Sequence, residues 1–233
     1  MTSGFPVLGL AGDLRQRIAR ALVAGAVSIV TIIAWPVAHA DTSPTLLVLG
    51  DSLSAAYGIE QEEGWVHLLN ERLDGEVAVV NASISGETTS GGAQRLPDLL
   101  GQHEPQLVLL ELGGNDGLRG LPPQQMRHNL ADMIEASQAA DAEVLLLGID
   151  IPPNYGQAYR DAFTGVYRDL AEEYDVALVP FLLDGVALED GMMQSDGIHP
   201  TASAQPVILD NVWPELERWL EQRGATLASG SAQ

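Results

Sequence analysis

Short apolar runs, each closed by glycine or a polar cluster, recur along residues 45–180 of this chain. The first, Leu46-Leu47-Val48-Leu49, stops at Gly50-Asp51-Ser52. The second is Val77-Ala78-Val79-Val80-Asn81. The third, Leu107-Val108-Leu109-Leu110-Glu111-Leu112, is closed by Gly113-Gly114-Asn115-Asp116-Gly117. Residues 144–149 make a fourth and residues 176–180 a short fifth. They show little two-residue alternation, which predicts strands buried on both faces, as in a parallel sheet. Helical spacing lies between them: Trp65, Leu68, Leu69 and Leu73; then Leu96, Leu99 and Leu100; then Tyr159, Phe163, Val166, Tyr167 and Leu170. Pro122-Pro123 opens a long helix to about residue 140, since proline suits a first helical turn. Residues 201–220 are amphipathic and helical in pattern, with Pro206 and Pro214 as expected interruptions. Strand and helix alternate five times, so the expected class is α/β, a doubly wound parallel sheet with helices on both faces.

No repeat or linker divides residues 41–222, which are expected to form one domain, with residues 223–233 a disordered tail. The first forty residues differ. Arg15, Arg17 and Arg20 precede an apolar run over residues 21–34, broken by Trp35-Pro36 and followed by Ala38-His39-Ala40. A charged start, a short apolar stretch and an A-x-A site together read as a secretory signal, with cleavage expected between Ala40 and Asp41 and an uncleaved membrane anchor as the other reading. The run is short for a spanning helix, which needs about 20 residues. The expected product is periplasmic or secreted, with no stable membrane anchor.

Charge narrows the partners. The chain of 233 residues carries a net charge of −21, and all eleven basic residues are arginine. The leader is net positive by two, so the remainder stands at −23. Such an acidic surface repels nucleic acid and polybasic-type membrane contacts alike. No cysteine is present, which excludes disulfides and thiolate metal sites.

Three strands end in polar, glycine-rich loops, and ligands bind beyond the carboxyl ends of strands in open α/β sheets. A hydroxyl (Ser52), a flexible backbone (Gly86) and a carboxamide (Asn115) are thereby expected at one rim. Ser52 reads equally as an N-cap in a turn, and Ser54 as a helix-start hydroxyl. Near the end comes Ser195-Asp196-Gly197-Ile198-His199-Pro200. An aspartate three residues before a histidine can reach one ring nitrogen and leave the other to face a hydroxyl. That is the orienting acid, base and nucleophile of acyl transfer. The Ser52 and Gly86 N–H groups and the Asn115 amide are candidate donors to an oxyanion.

Gly50-Asp51-Ser52-Leu53, the 81–86 block, Gly113-Gly114-Asn115-Asp116 and Asp196-Gly197-Ile198-His199-Pro200 resemble the four blocks of the SGNH, or GDSL, hydrolases. The chain is most similar to their bacterial periplasmic thioesterase I, lysophospholipase and arylesterase group. The resemblance implies a three-layer α/β/α, flavodoxin-like fold with a five-stranded parallel sheet. It implies Ser52 as nucleophile, His199 as base, Asp196 as its partner, and Ser52, Gly86 and Asn115 as oxyanion hole. It implies a monomer without cofactor or metal, acting on a small acyl ester or thioester.

Leu53, Ile84, Leu118 and Ile198 beside the motifs favour an acyl chain as the group bound. Tyr155 either lines the groove or packs the loop. His67, His103 and His128 lack ligand spacing, and Asp184, Glu189 and Asp190 lack the spacing of a calcium loop. No G-x-S-x-G and no nucleotide fingerprint occurs. The competing expectations are a carbohydrate-deacetylating esterase and a catalytically silent periplasmic binding protein, since fold does not fix function.

Overall fold

The computed structural model describes Met1 and residues 43–230, with side chains to residue 224. The expected leader and its cleavage site lie outside the described residues. Five strands run β1 Thr45–Gly50, β2 Ala78–Asn81, β3 Leu107–Glu111, β4 Glu143–Leu147 and β5 Ala177–Val179. The helices are α1 Trp65–Arg72, α2 Thr89–His103, α3 Gly114–Leu118, α4 Pro123–Ala139, α5 Gln157–Tyr174 and α6 Gln205–Gly230.

All neighbours pair in parallel, in the order β2-β1-β3-β4-β5. From β1 the chain steps outward to β2, then crosses back over β1 to reach β3. Right-handed crossovers therefore put α1 on one face and α2, α4 and α5 on the other. The helices pack accordingly, α1 on α6, and α4 between α2 and α5. The reversal leaves a crevice between the carboxyl ends of β1 and β3, where this class of sheet binds ligands.

Burial follows the sheet order. In the central strands β1 and β3, Leu46, Leu47, Val48, Leu49, Val108, Leu109 and Leu110 are almost wholly buried, each stabilising the fold by about 1.5–3 kcal/mol. The second apolar run forms the edge strand, and there Val79 and Val80 are only half-buried.

Two helical expectations need correction. Pro206 and Pro214 do not interrupt the last helix. Pro206 falls in the first turn, where its missing N–H costs nothing. Pro214 lies inside, and the buried Val212, Leu216 and Trp219 beside it offset a cost of about 3 kcal/mol. The helix runs to Gly230, and residues 231–233 lie outside the described ones. The second correction concerns the segment after β1, which forms consecutive turns and no helix. Ala56 and Gly58 adopt left-handed conformations, φ 55° and 77°, which stop a helix before it can propagate. Ser52 and Ser54 therefore do not begin a helix. Among the described residues no helix is long and apolar enough to cross a membrane.

Candidate active site

Gly50 ends β1 beside Glu111 of β3. A Cβ at Gly50 would stand 2.6 Å from Glu111 Oε2 and 2.8 Å from Ser54 Oγ, so only glycine fits. The chain then turns on Asp51, whose Oδ1 accepts the Leu53 N–H at 3.0 Å, an Asx turn. This turn lifts Ser52 above the sheet rim, half-buried.

His199 comes to Ser52 from the loop before α6. Its Nε2 lies 3.0 Å from Ser52 Oγ, and its Nδ1 lies 2.7 Å from Asp196 Oδ2. Asp196 Oδ1 accepts the N–H groups of Ile198 (2.9 Å) and His199 (3.0 Å). The hydrogen bond from His199, with these two backbone donors, pulls the Asp196 carboxyl down to about 2. It is a carboxylate throughout the working range and fixes which imidazole nitrogen faces the serine. The loop is held closed by an isolated bridge between Met193 and Pro200. Gln194 ties it further, donating from Nε2 to the carbonyls of Tyr57 and Pro200. The Tyr57 ring packs on the imidazole with centroids 4.3 Å apart.

The other two loops reach the same rim. Ile84 N–H donates to Gly50 O at 3.0 Å, which brings the 82–86 loop beside β1. There Gly86 adopts φ 81° and its carbonyl accepts Arg119 Nη2. Among the described residues the N–H groups of Ser52 and Gly86 have no acceptor. Beyond β3 the segment expected as a closing loop is the short helix α3. Its start depends on Gly113, φ 127°, under which the Tyr167 hydroxyl would touch any Cβ at 2.2 Å. Asn115 in its first turn donates from Nδ2 to Asp51 Oδ2 at 2.9 Å.

A cavity of about 540 Å³ opens beside Ser52 and His199. Its walls are mostly apolar, and Leu53, Leu118 and Ile198 are among them. Ile84 and Tyr155 are not. Ile84 is exposed on the loop rim. Tyr155 turns its hydroxyl to the Leu118 carbonyl, 2.7 Å, and so supports the groove wall from behind. The ion pair between Asp150 and Arg160 closes one wall. A smaller hollow of about 290 Å³ lies at the amino ends of β3, β4 and β5 and holds no serine or histidine.

The remaining sequence candidates stand apart. His67 and His128 pair with Glu71 and Asp132 on exposed helix faces. Among the described residues no group of three His, Asp or Glu is placed to hold a metal ion. Tyr57 near the centre escaped the sequence reading, and Asp51 and Glu111, though part of the motifs quoted, were given no role there. The last left a signal, a single carboxylate within a run otherwise wholly apolar.

Most of the chain is similar to known proteins. Residues 48–205 match the model of the GDSL-like lipase/acylhydrolase family. "Esterase TesA" of Pseudomonas aeruginosa is 56% identical over 176 residues, covering 74% of this chain and 88% of that protein. "Thioesterase 1/protease 1/lysophospholipase L1" of Escherichia coli K12 is 49% identical over 179 residues, covering 77% and 86%. The crystal structure of the psychrotrophic esterase EstA from Pseudoalteromonas sp., inhibited by monoethylphosphonate, superposes with a TM-score of 0.73. It is 47% identical and covers 76% of this chain and 98% of that one. With a flavodoxin-like sheet of five parallel strands and relatives that are esterases and thioesterases, the chain belongs to the GDSL-like lipase/acylhydrolase family and is a serine-type ester hydrolase.

Proposed function

We propose that Ser52, His199 and Asp196 cleave carboxylic esters and thioesters through an acyl-enzyme, with Ser52 N–H, Gly86 N–H and Asn115 Nδ2 receiving the oxyanion. The observation that carries this is the unbroken line from Asp196 Oδ2 through His199 to Ser52 Oγ, 2.7 and 3.0 Å, at the mouth of an apolar cavity.

The free hydroxyl is a poor nucleophile, so it needs a base in contact with it. His199 Nε2 takes the Ser52 proton as Oγ bonds to the carbonyl carbon. The π electrons of the carbonyl move to oxygen, and preorganised donors meet the charge as it forms. Collapse breaks the bond to the leaving alkoxide or thiolate, which takes the proton back from Nε2. Water then repeats the sequence on the acyl-enzyme. Asp196 keeps its charge throughout and stabilises the imidazolium.

The apolar cavity wall favours the acyl side of the substrate. Each methylene that enters an apolar groove contributes about 0.8 kcal/mol, or roughly a fourfold gain in kcat/KM. A panel of p-nitrophenyl esters of rising chain length tests this, beside a lysophospholipid and an acyl-CoA. Activity should climb steeply from acetyl to medium chains and then level as the groove fills. Highest activity on acetyl groups, above all on acetylated sugars, would contradict the proposal and favour a deacetylase.

A further inference from the structure

Two carboxyl groups lie under the nucleophile and take no part in the mechanism above. Glu111 is completely buried and Asp51 is 2% exposed. Glu111 Oε2 accepts the Asp51 N–H at 3.0 Å and the Ser54 hydroxyl at 2.8 Å. Its Oε1 has no partner among the described residues. Asp51 in turn spends Oδ1 on the Leu53 N–H and Oδ2 on Asn115 Nδ2. A buried, half-satisfied carboxyl is expensive and persists where something depends on it. Two glycines make room for the pair. A Cβ on Gly50 would strike Glu111, and one on Gly114 would press on Asp51 Oδ2 at 3.3 Å.

We propose that Asp51 is a positioning residue for the oxyanion hole: it takes one hydrogen of the Asn115 amide, which turns the other toward the reacting oxygen, and Glu111 clamps Asp51 in that pose. This rests on the proposed role of Asn115. A carboxamide nitrogen carries two hydrogens in a fixed plane. Once one is committed to Asp51, the direction of the second is set by the sheet and no longer by rotation about the side chain. Preorganisation of this kind is what makes an oxyanion donor effective, because no reorientation is then needed as charge develops.

The electrostatics favour this division of labour. Burial, then the neighbouring Asp51, pushes the Glu111 carboxyl well above the usual range, so it holds its proton more tightly than a free carboxyl does. Burial raises Asp51 to about 6, against the hydrogen bonds from Leu53 and Asn115 and the proximity of His199. Above that pH Asp51, the member that holds Asn115, carries its negative charge.

Asparagine at position 51 has one acceptor oxygen where the aspartate has two. In the same pose its oxygen replaces only one of Oδ1 and Oδ2, and its NH2 then faces the other donor, Leu53 N–H or Asn115 Nδ2. Asp51→Asn should therefore lower kcat by about 10–100-fold with KM little changed. Rates are taken per active site titrated with a phosphonate, so misfolded protein does not count. In an Asn115→Ala background the same substitution should change kcat by less than about threefold, since its target is already gone. Glu111→Gln, which retains an acceptor for the Asp51 N–H and Ser54, should recover kcat that Glu111→Ala loses. Multiplying losses of Asp51→Asn and Asn115→Ala would overturn the proposal, as would Glu111→Gln no better than Glu111→Ala. Unchanged kcat in Asn115→Ala alone would mean that the oxyanion role itself had failed.

Discussion

Replacing Ser52 by alanine should lower kcat by about 10⁴–10⁶, and His199→Ala by a similar factor, with the double variant little worse than either. The reason is that each group is useless without the other. Without Ser52 Oγ, 3.0 Å from the ring, His199 has no proton to take. Without the ring, the hydroxyl must lose its proton to water. What remains is the contribution of the oxyanion donors and of substrate binding, which both variants share. Both side chains sit at the mouth of the cavity and hold no part of the core together. Thermal midpoints should therefore stay near that of the unmodified protein. Losses that multiply in the double variant would show that the two residues act independently.

Asn115→Ala should reduce kcat by roughly 10²–10³, about 3–4 kcal/mol, with KM little changed. A donor that acts on the developing charge affects the transition state and leaves the bound ester almost untouched. The substitution also frees Asp51 Oδ2, buried and 2.9 Å away, so a stability loss of about 1–3 kcal/mol should accompany it. Kinetics must be measured well below the melting midpoint to separate the two. Asn115→Asp should do at least as much damage. It sets a carboxylate against the oxyanion and against Asp51 at once. Near-normal kcat at a temperature where Asn115→Ala is fully folded would remove Asn115 from the site.

The sheet was legible because its central strands are buried on both faces. Residues 46–49, 107–110 and 144–147 could have no other use for such unbroken apolar runs. The polar residues that close them announced the rim. What stayed hidden depended on backbone conformation or on partners distant in sequence. Nothing in Ser52-Leu53-Ser54-Ala55-Ala56 shows that Ala56 takes a left-handed turn, and helix was the natural expectation. The turn-forming residues of 113–117 concealed α3. Its Gly117 is packed against Ile151 and Phe163, whose atoms would lie 2.6 and 2.8 Å from a Cβ there, so tertiary packing overrides local preference.

The same distinction applies in the site. Asp196 and His199 are three residues apart and could be paired from the sequence. Asp51 and Asn115 are 64 apart, and Asp51 and Glu111 are 60 apart. Their contacts exist only once β1 and β3 are laid side by side. Tyr155 is a further case. The sequence left it open whether this residue lines the groove or packs the loop, because its hydroxyl bonds the Leu118 carbonyl, 37 residues away.

The central claim is that Ser52 is an activated nucleophile, and a fluorophosphonate reports on that directly. Intact-mass and peptide analysis after brief exposure should show one adduct per chain, on Ser52, formed far more slowly when His199 is replaced by alanine. An unmodified chain, or an adduct on another serine while Ser52 stays free, would contradict the account.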